Sequence, residues 1–180
     1  QEGTPTPDLN AALGDASWLT GLERNSDLVT QEAYAPMLVN VHNVAWRTNL
    51  IGFDALSSYG SPSYWAQQML GNDHGDQVVS AGYAGVGGLN VVATRDSRTG
   101  RIYVTIVNPG GNAQPVSVAI DGARVPNRGR MTVLTSAKPS DTNTIDQPGT
   151  VVPRTSTVTG LGNGFTQTVP AYSLTVLTLG

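Results

Sequence analysis

The densest set of reactive groups lies in Thr20-Gly21-Leu22-Glu23-Arg24-Asn25-Ser26-Asp27, three charges and two hydroxyls in eight residues. A carboxylate beside a guanidinium invites an acid–base reading. A second group, Tyr34, Asn40, His42, Asn43 and Trp46, mixes aromatic rings with amides. That mixture suits a sugar, because a ring face packs on C–H groups while amides bond hydroxyls. The two histidines, His42 and His74, are far apart, and no acidic pair or cysteine shows metal-ligand spacing, so no metal site is expected. Asp73 and Asp76 flank Gly75, which reads as a solvated turn in preference to a calcium loop. Gly85-Val86-Gly87-Gly88 lacks a following helix and a Lys-Ser/Thr pair, so it is a flexible turn and not a phosphate loop.

Composition narrows the classes further. The 180 residues carry a net charge of −3 with a single lysine, Lys138, so the basic stripe needed for nucleic acid is missing. No apolar run approaches the ~20 residues of a membrane helix. With no cysteine, disulfides and thiolate chemistry are excluded. An opening Gln1-Glu2-Gly3 without an initiator Met reads as a processed or excised start.

The elements that must position these groups change character near Gly75. Thr6 as cap, Pro7 at the first position and Asp8 near the positive end predict a helix. Its apolar face is Leu9, Ala12, Leu13, Ala16 and Leu19, widened by Trp18 and Leu22, with Asn25-Ser26 as the stop. Val29 to Ala35 can form a strand that Pro36 ends. Met37 to Ser58 reads as a long connection. Ser61, Pro62 and Gly71 bound a second helix. The apolar faces of these helices, residues 7–25 and 61–70, call for neighbours outside the sequence. Helix, strand, loop, helix is the order at the end of a (β/α)8 barrel. On that frame Glu23, Arg24 and Asp27 fall on the stability face, where ion pairing or holding the turn is their role. The residues after the strand fall on the active face.

Beyond Gly75, short β runs alternate with turns. Val91–Asp96 and Arg101–Asn108 flank the hairpin turn Ser97-Arg98-Thr99-Gly100. Ile102, Val104 and Ile106 make one aliphatic face, and Val116, Val118 and Ile120, then Met131–Thr135 and Leu174–Leu179, repeat the theme. About seven or eight strands suit an antiparallel, jelly-roll-like β-sandwich. Lys138 to Pro153 reads as a long polar loop. The division expected is residues 1–72 as the end of a barrel and 73–180 as the sandwich.

Several stretches in order carry a resemblance: Ala12-Leu13-Gly14-Asp15-Ala16-Ser17-Trp18-Leu19-Thr20-Gly21-Leu22-Glu23-Arg24-Asn25, Tyr34-Ala35-Pro36-Met37-Leu38-Val39-Asn40-Val41, Ala45-Trp46, Leu50-Ile51-Gly52-Phe53-Asp54, Ser61-Pro62-Ser63-Tyr64-Trp65-Ala66-Gln67, Asp141-Thr142-Asn143-Thr144 with Pro148 and Val152-Pro153, and Val169-Pro170-Ala171-Tyr172-Ser173-Leu174-Thr175-Val176-Leu177. Together they resemble the C-terminal third of glycoside hydrolase family 51 α-L-arabinofuranosidases. The resemblance implies a secreted, retaining hydrolase that releases terminal α-L-arabinofuranosyl groups from arabinan, arabinoxylan or oligosaccharides and needs no cofactor. Retention needs two carboxyl groups about 5 Å apart. In the family both are glutamates at the ends of the fourth and seventh barrel strands, upstream of the portion resembled here. The three glutamates of this chain, Glu2, Glu23 and Glu32, match neither, so no catalytic residue is assigned. The expectation is a partner: an upstream polypeptide of the same enzyme, cleaved from this one or left out of it. Trp46, Asn40, Tyr34 and His42 are the candidates for the sugar cleft. Met37 stands where some members carry glutamine, and it cannot make that residue's hydrogen bonds. The alternative is a non-catalytic carbohydrate-binding or structural β-sandwich. It has few aromatics for that task, Tyr83, Tyr103, Phe165 and Tyr172, of which Tyr172 belongs in the core.

Overall fold

Ser61 and Pro62 act as the sequence demands: the Ser61 hydroxyl accepts from Tyr64 N, and the helix begins at Pro62. This comes from a computed structural model describing residues 5–82 and 88–180. The elements in order are α1 (Leu9–Arg24), β1 (Leu38–Asn40), β2 (Ile51–Phe53), β3 (Ser58–Gly60), α2 (Pro62–Asn72), β4 (Gln77–Val78), β5 (Asn90–Arg95), β6 (Ile102–Asn108), β7 (Gln114–Ala119), β8 (Arg128–Thr135), β9 (Arg154–Thr159), β10 (Gly164–Val169) and β11 (Ser173–Leu179).

Strands β4 to β11 form the expected antiparallel sandwich. One sheet has the order β4-β5-β6-β11-β8-β9, and the other pairs β10 with β7. The 97–100 hairpin forms as read, with the Asp96 carboxylate accepting from Arg98 N and Thr99 N, each at 2.9 Å. The aliphatic face of β6 (Ile102, Val104, Ile106) packs toward β7 and β10 with Val169, Leu177, Leu179 and Phe165. Its other face is buried too. Tyr103 and Val107 join Leu134, Leu174 and Val176 beneath Leu9, Ala12, Leu13 and Ala16 of α1 and Ala66 and Met69 of α2. The six-stranded sheet is therefore the middle of three layers, with helices on one side and the two-stranded sheet on the other.

This layering corrects the expectation that the helix faces need neighbours outside the sequence, because the sheet of the same chain covers them. The helix-starting groups are shared as well. The Asp8 carboxylate caps α1 by accepting from Ala11 N at 2.9 Å. Leu9 N and Asn10 N donate to Asp141 O (2.9 Å) and Pro139 O (2.8 Å). The first intrahelical bond runs from Ala12 N to Asp8 O, so the three N–H groups ahead of it, those of Leu9, Asn10 and Ala11, all have partners. The polar loop 138–153 thus completes a helix some 130 positions upstream.

Four further readings need correction. Thr6 is not the cap; it is buried, with its hydroxyl 3.2 Å from Tyr59 Oη. Trp18 does not widen the apolar face. At ~100° per residue it lies roughly 180° from Leu9, and it is 70% exposed. Val29–Ala35 is not a strand, since among the described residues none pairs with it; the strand lies beyond Pro36, where Leu38–Asn40 pairs in parallel with Ile51–Phe53. Gly71 sits inside the last turn of α2, which runs to Asn72. Gly75 does matter at the junction: a Cβ there would fall 2.1 Å from the carbonyl carbon of Arg95, so only glycine lets the chain pass this close to β5.

Between the helices, Ser63 Oγ donates to Asp15 Oδ2 at 2.5 Å. Burial pushes the Asp15 carboxyl above its usual value, outweighing the Ser63 bond that lowers it. A raised acid holds its proton longer in the folded state. Stability then falls as pH rises from the unfolded value through the folded one, and the penalty persists above both. Asp15→Asn keeps an oxygen acceptor for Ser63 and loses the buried charge. Calorimetry at pH 7 is expected to show a higher melting temperature for the variant, and at pH 3 a smaller difference.

Candidate functional site

The parallel pairing of β1 with β2 gives the small sheet a direction, and Asn40 ends β1 opposite Phe53. The chain continues across β2, with Val41 N donating to Phe53 O at 2.9 Å. The Asn40 carboxamide oxygen accepts from His42 N at 3.0 Å, and Asn40 O accepts from Asn43 N at 3.0 Å, so asparagine folds the loop back on itself. Its Nδ2 group has no partner among the described residues, and the side chain is exposed. His42 is exposed beside Asp54. The Asp54 carboxylate accepts from Leu56 N (2.8 Å) and Ser57 N (2.7 Å), and these bonds, aided by His42, hold its pKa below the usual range.

Trp46 is 76% exposed, which leaves the indole available to stack. Its carbonyl is fixed from behind: Asn49 Nδ2 donates to Trp46 O at 2.5 Å and to Pro5 O at 3.2 Å. Tyr34 is half-buried, and its hydroxyl donates to Thr48 O at 3.1 Å. Burial, then the negative charge of Asp15, push the Tyr34 phenol up. The structure thus brings Asn40, His42 and Asp54 together on one side of the loop and ties Tyr34 to its far end. It gives Tyr34 a backbone partner in place of an open hydroxyl. Sequence reading passed over Asn49 and Asp54. Asp54-Ala55-Leu56-Ser57 carries the signature of a side chain turning its own backbone, but no local pattern marks Asn49, whose partners are distant.

Within the charged stretch Arg24 has a structural role, though it is neither the ion pairing nor the strand-feeding turn expected. Arg24 Nη1 donates to Val91 O at 2.7 Å, pinning the end of α1 to β5. The Glu23 carboxyl is pushed up by burial, against the opposing influence of His74 and Arg24. It lines a cavity of about 470 Å³ with Glu32, His74 and Leu70. Asp27 is exposed. Asp73 pairs with Arg130, and Asp76 accepts from Ser97 N and Ser97 Oγ, so both acids flanking Gly75 are engaged by protein groups. Among the described residues, no three His, Cys, Asp or Glu side chains are grouped to hold a metal ion. Glu2, Tyr83 and the glycines at 85 and 87 lie outside the described residues. On the sandwich, Tyr103 is buried, and Phe165 and Tyr172 pack against the core. Among the described residues, then, the sandwich offers no row of exposed rings to a polysaccharide.

Comparison with known proteins adds an independent view. The family described as "Alpha-L-arabinofuranosidase C-terminal domain" matches residues 3–173. Alpha-L-arabinofuranosidase 1 of Arabidopsis thaliana is 34% identical over 93% of this chain and 26% of its own length. Probable alpha-L-arabinofuranosidase A of Aspergillus terreus is 35% identical over 97% of this chain and 27% of its own. Among solved structures, the arabinose-bound MgGH51 α-L-arabinofuranosidase superposes with a TM-score of 0.91 at 35% identity, covering 98% of this chain and 28% of that one. The enzyme from Thermotoga petrophila shares the fold, with a TM-score of 0.83 at 18% identity. The chain spans about a quarter of the length of the relatives it matches.

Proposed function

This chain belongs to glycoside hydrolase family 51, as its α-L-arabinofuranosidase C-terminal domain, and from that premise we propose that it works as the C-terminal part of a retaining, secreted α-L-arabinofuranosidase. The complete enzyme hydrolyses terminal α-L-arabinofuranosyl groups of arabinan, arabinoxylan or oligosaccharides. Both catalytic glutamates lie on an upstream polypeptide that completes the barrel. The observation carrying this reading is the superposition of 98% of this chain on only 28% of an arabinose-bound relative. The placement of glutamates supports it: Glu23 lies at the far end of α1 beside His74, and Glu32 is exposed on an irregular segment. Exposed apolar side chains at Leu28 (78%), Met37 (55%) and Leu38 (59%) give the upstream part a surface to cover.

In this reading the loop after β1 contributes binding and no chemistry. Trp46 stacks on the sugar, the free Asn40 amide donates to a hydroxyl, and His42 is held at the rim by the Asn40 turn. The chain alone is expected to show no hydrolysis of p-nitrophenyl α-L-arabinofuranoside, and the full-length product to show it. Turnover by the purified chain alone would sink the assignment of both glutamates to another segment. In the full-length enzyme, Trp46→Ala is expected to raise KM roughly tenfold, the loss of about 1.5 kcal/mol of aromatic contact, with kcat little changed. An unchanged KM would remove Trp46 from the cleft.

A further inference from the structure

We propose that Asn49 and Tyr34 are positioning residues, clamping the main chain of residues 46–48 so that the Trp46 indole is presented to the sugar. The proposal rests on the assignment of Trp46 to the cleft given above.

The loop has little to hold it by its own side chains. Val44 to Thr48 are all exposed, and burial resumes only at Asn49 and Leu50. Thr48 also sits at φ = +64°, a left-handed conformation that a β-branched residue adopts only when its surroundings enforce it. Two groups do so. Asn49 is 2% exposed, and its amide donates to Trp46 O and Pro5 O while Asn49 N also donates to Pro5 O at 3.1 Å. One planar amide therefore ties the loop to the segment leading into α1. From the other side the Tyr34 hydroxyl donates to Thr48 O, and Leu50 N donates to Pro36 O at 3.2 Å. Both clamps need a donor. Asparagine and tyrosine supply one, whereas aspartate and phenylalanine do not.

The test uses the full-length enzyme with Tyr34→Phe, Asn49→Ala and Trp46→Ala, singly and in pairs. Tyr34→Phe removes one hydroxyl and is the variant that decides should Asn49→Ala fail to fold. Each clamp variant is expected to raise KM about three- to tenfold with kcat within twofold, and to add nothing further in the Trp46→Ala background. Additive effects in that background would overturn the proposal, because they place Tyr34 or Asn49 on the sugar directly. An unchanged KM in Tyr34→Phe would overturn its part in the clamp. A second readout needs no sugar. With 5-fluorotryptophan incorporated and the Trp46 signal assigned by Trp46→Phe, Tyr34→Phe is expected to shift or broaden that ¹⁹F resonance and leave Trp65 in place. A shifted resonance with no KM effect of Trp46→Ala would mean that the clamp exists and the cleft assignment is wrong. An unmoved resonance would refute the clamp itself.

Discussion

Asn143→Ala is expected to destabilise the chain by about 3–4 kcal/mol. Asn143 is fully buried. Its amide donates to Gly60 O and Val151 O, each at 2.9 Å, and its carboxamide oxygen accepts from Val151 N at 2.7 Å. Alanine would take these bonds from two buried groups of Val151 and from the part-buried Gly60 O, and a buried group left unpaired costs about 1–3 kcal/mol. One of them, Gly60 O, lies at the entry to α2, so the loss loosens the loop and the helix start together. The melting temperature is expected to fall by about 10 °C, at roughly 2–4 °C per kcal/mol for a chain of this size. Asp146→Ala, in the same loop but exposed, is the control and is expected to stay within about 0.5 kcal/mol. Urea titration of the three proteins decides it, and equal midpoints would show that the amide is replaceable by water.

Leu13→Ala is the second large effect, expected at about 2–5 kcal/mol. Leu13 is 2% exposed between α1 and the sheet, among Val107, Leu174 and Val176. Close packing in this core leaves little room for collapse into the space vacated. Trp18→Ala on the opposite face of the same helix is expected to cost this chain under about 0.5 kcal/mol. In the full-length enzyme Trp18 has the chance of a covering neighbour, so a larger cost there than in the isolated chain would mark it as part of the contact with the upstream part. A small loss for Leu13→Ala would mean that α1 does not dock on the sheet.

Much of this was legible from residues alone, for physical reasons that differ by element. The start of α2 needed only Ser61 and Pro62, because a cap and a fixed φ act within one turn. Strands β5, β6, β7, β8 and β11 were marked by their apolar runs, whereas β4, β9 and β10 were not, and β9, exposed at all but one position, carries no period-two signal. What escaped depends on contacts across long separations. Val29–Ala35 has β-forming residues, yet a strand exists only with a neighbour to pair with, and among the described residues it has none. The cap of α1 is Asp8 and not Thr6 because Tyr59 engages the Thr6 hydroxyl. The second buried face of β6 was invisible in β6 itself, where Tyr103, Thr105 and Val107 read as a mixed surface until the helices cover them. In the candidate site, residue types pointed to Asn40, His42 and Trp46. Asn49 was passed over because the carbonyls it serves belong to Pro5 and Trp46, and nothing in its flanking residues announces them.

The place of β11 carries a consequence for how the molecule comes into being. It lies between β6 and β8, pairing with both along its whole length, yet it is the latest of the sheet's strands in the chain. On a ribosome, β5 and β6 can zip as a hairpin, and β8 and β9 can do the same, before β11 emerges. Until residues 173–179 arrive, these are two half-sheets, each with an inner edge open and an apolar face uncovered. The helices, made before every strand of this sheet, have only half a floor to settle on. The nascent chain therefore passes through an interval in which both half-sheets exist and neither is joined to the other, and one late strand closes them.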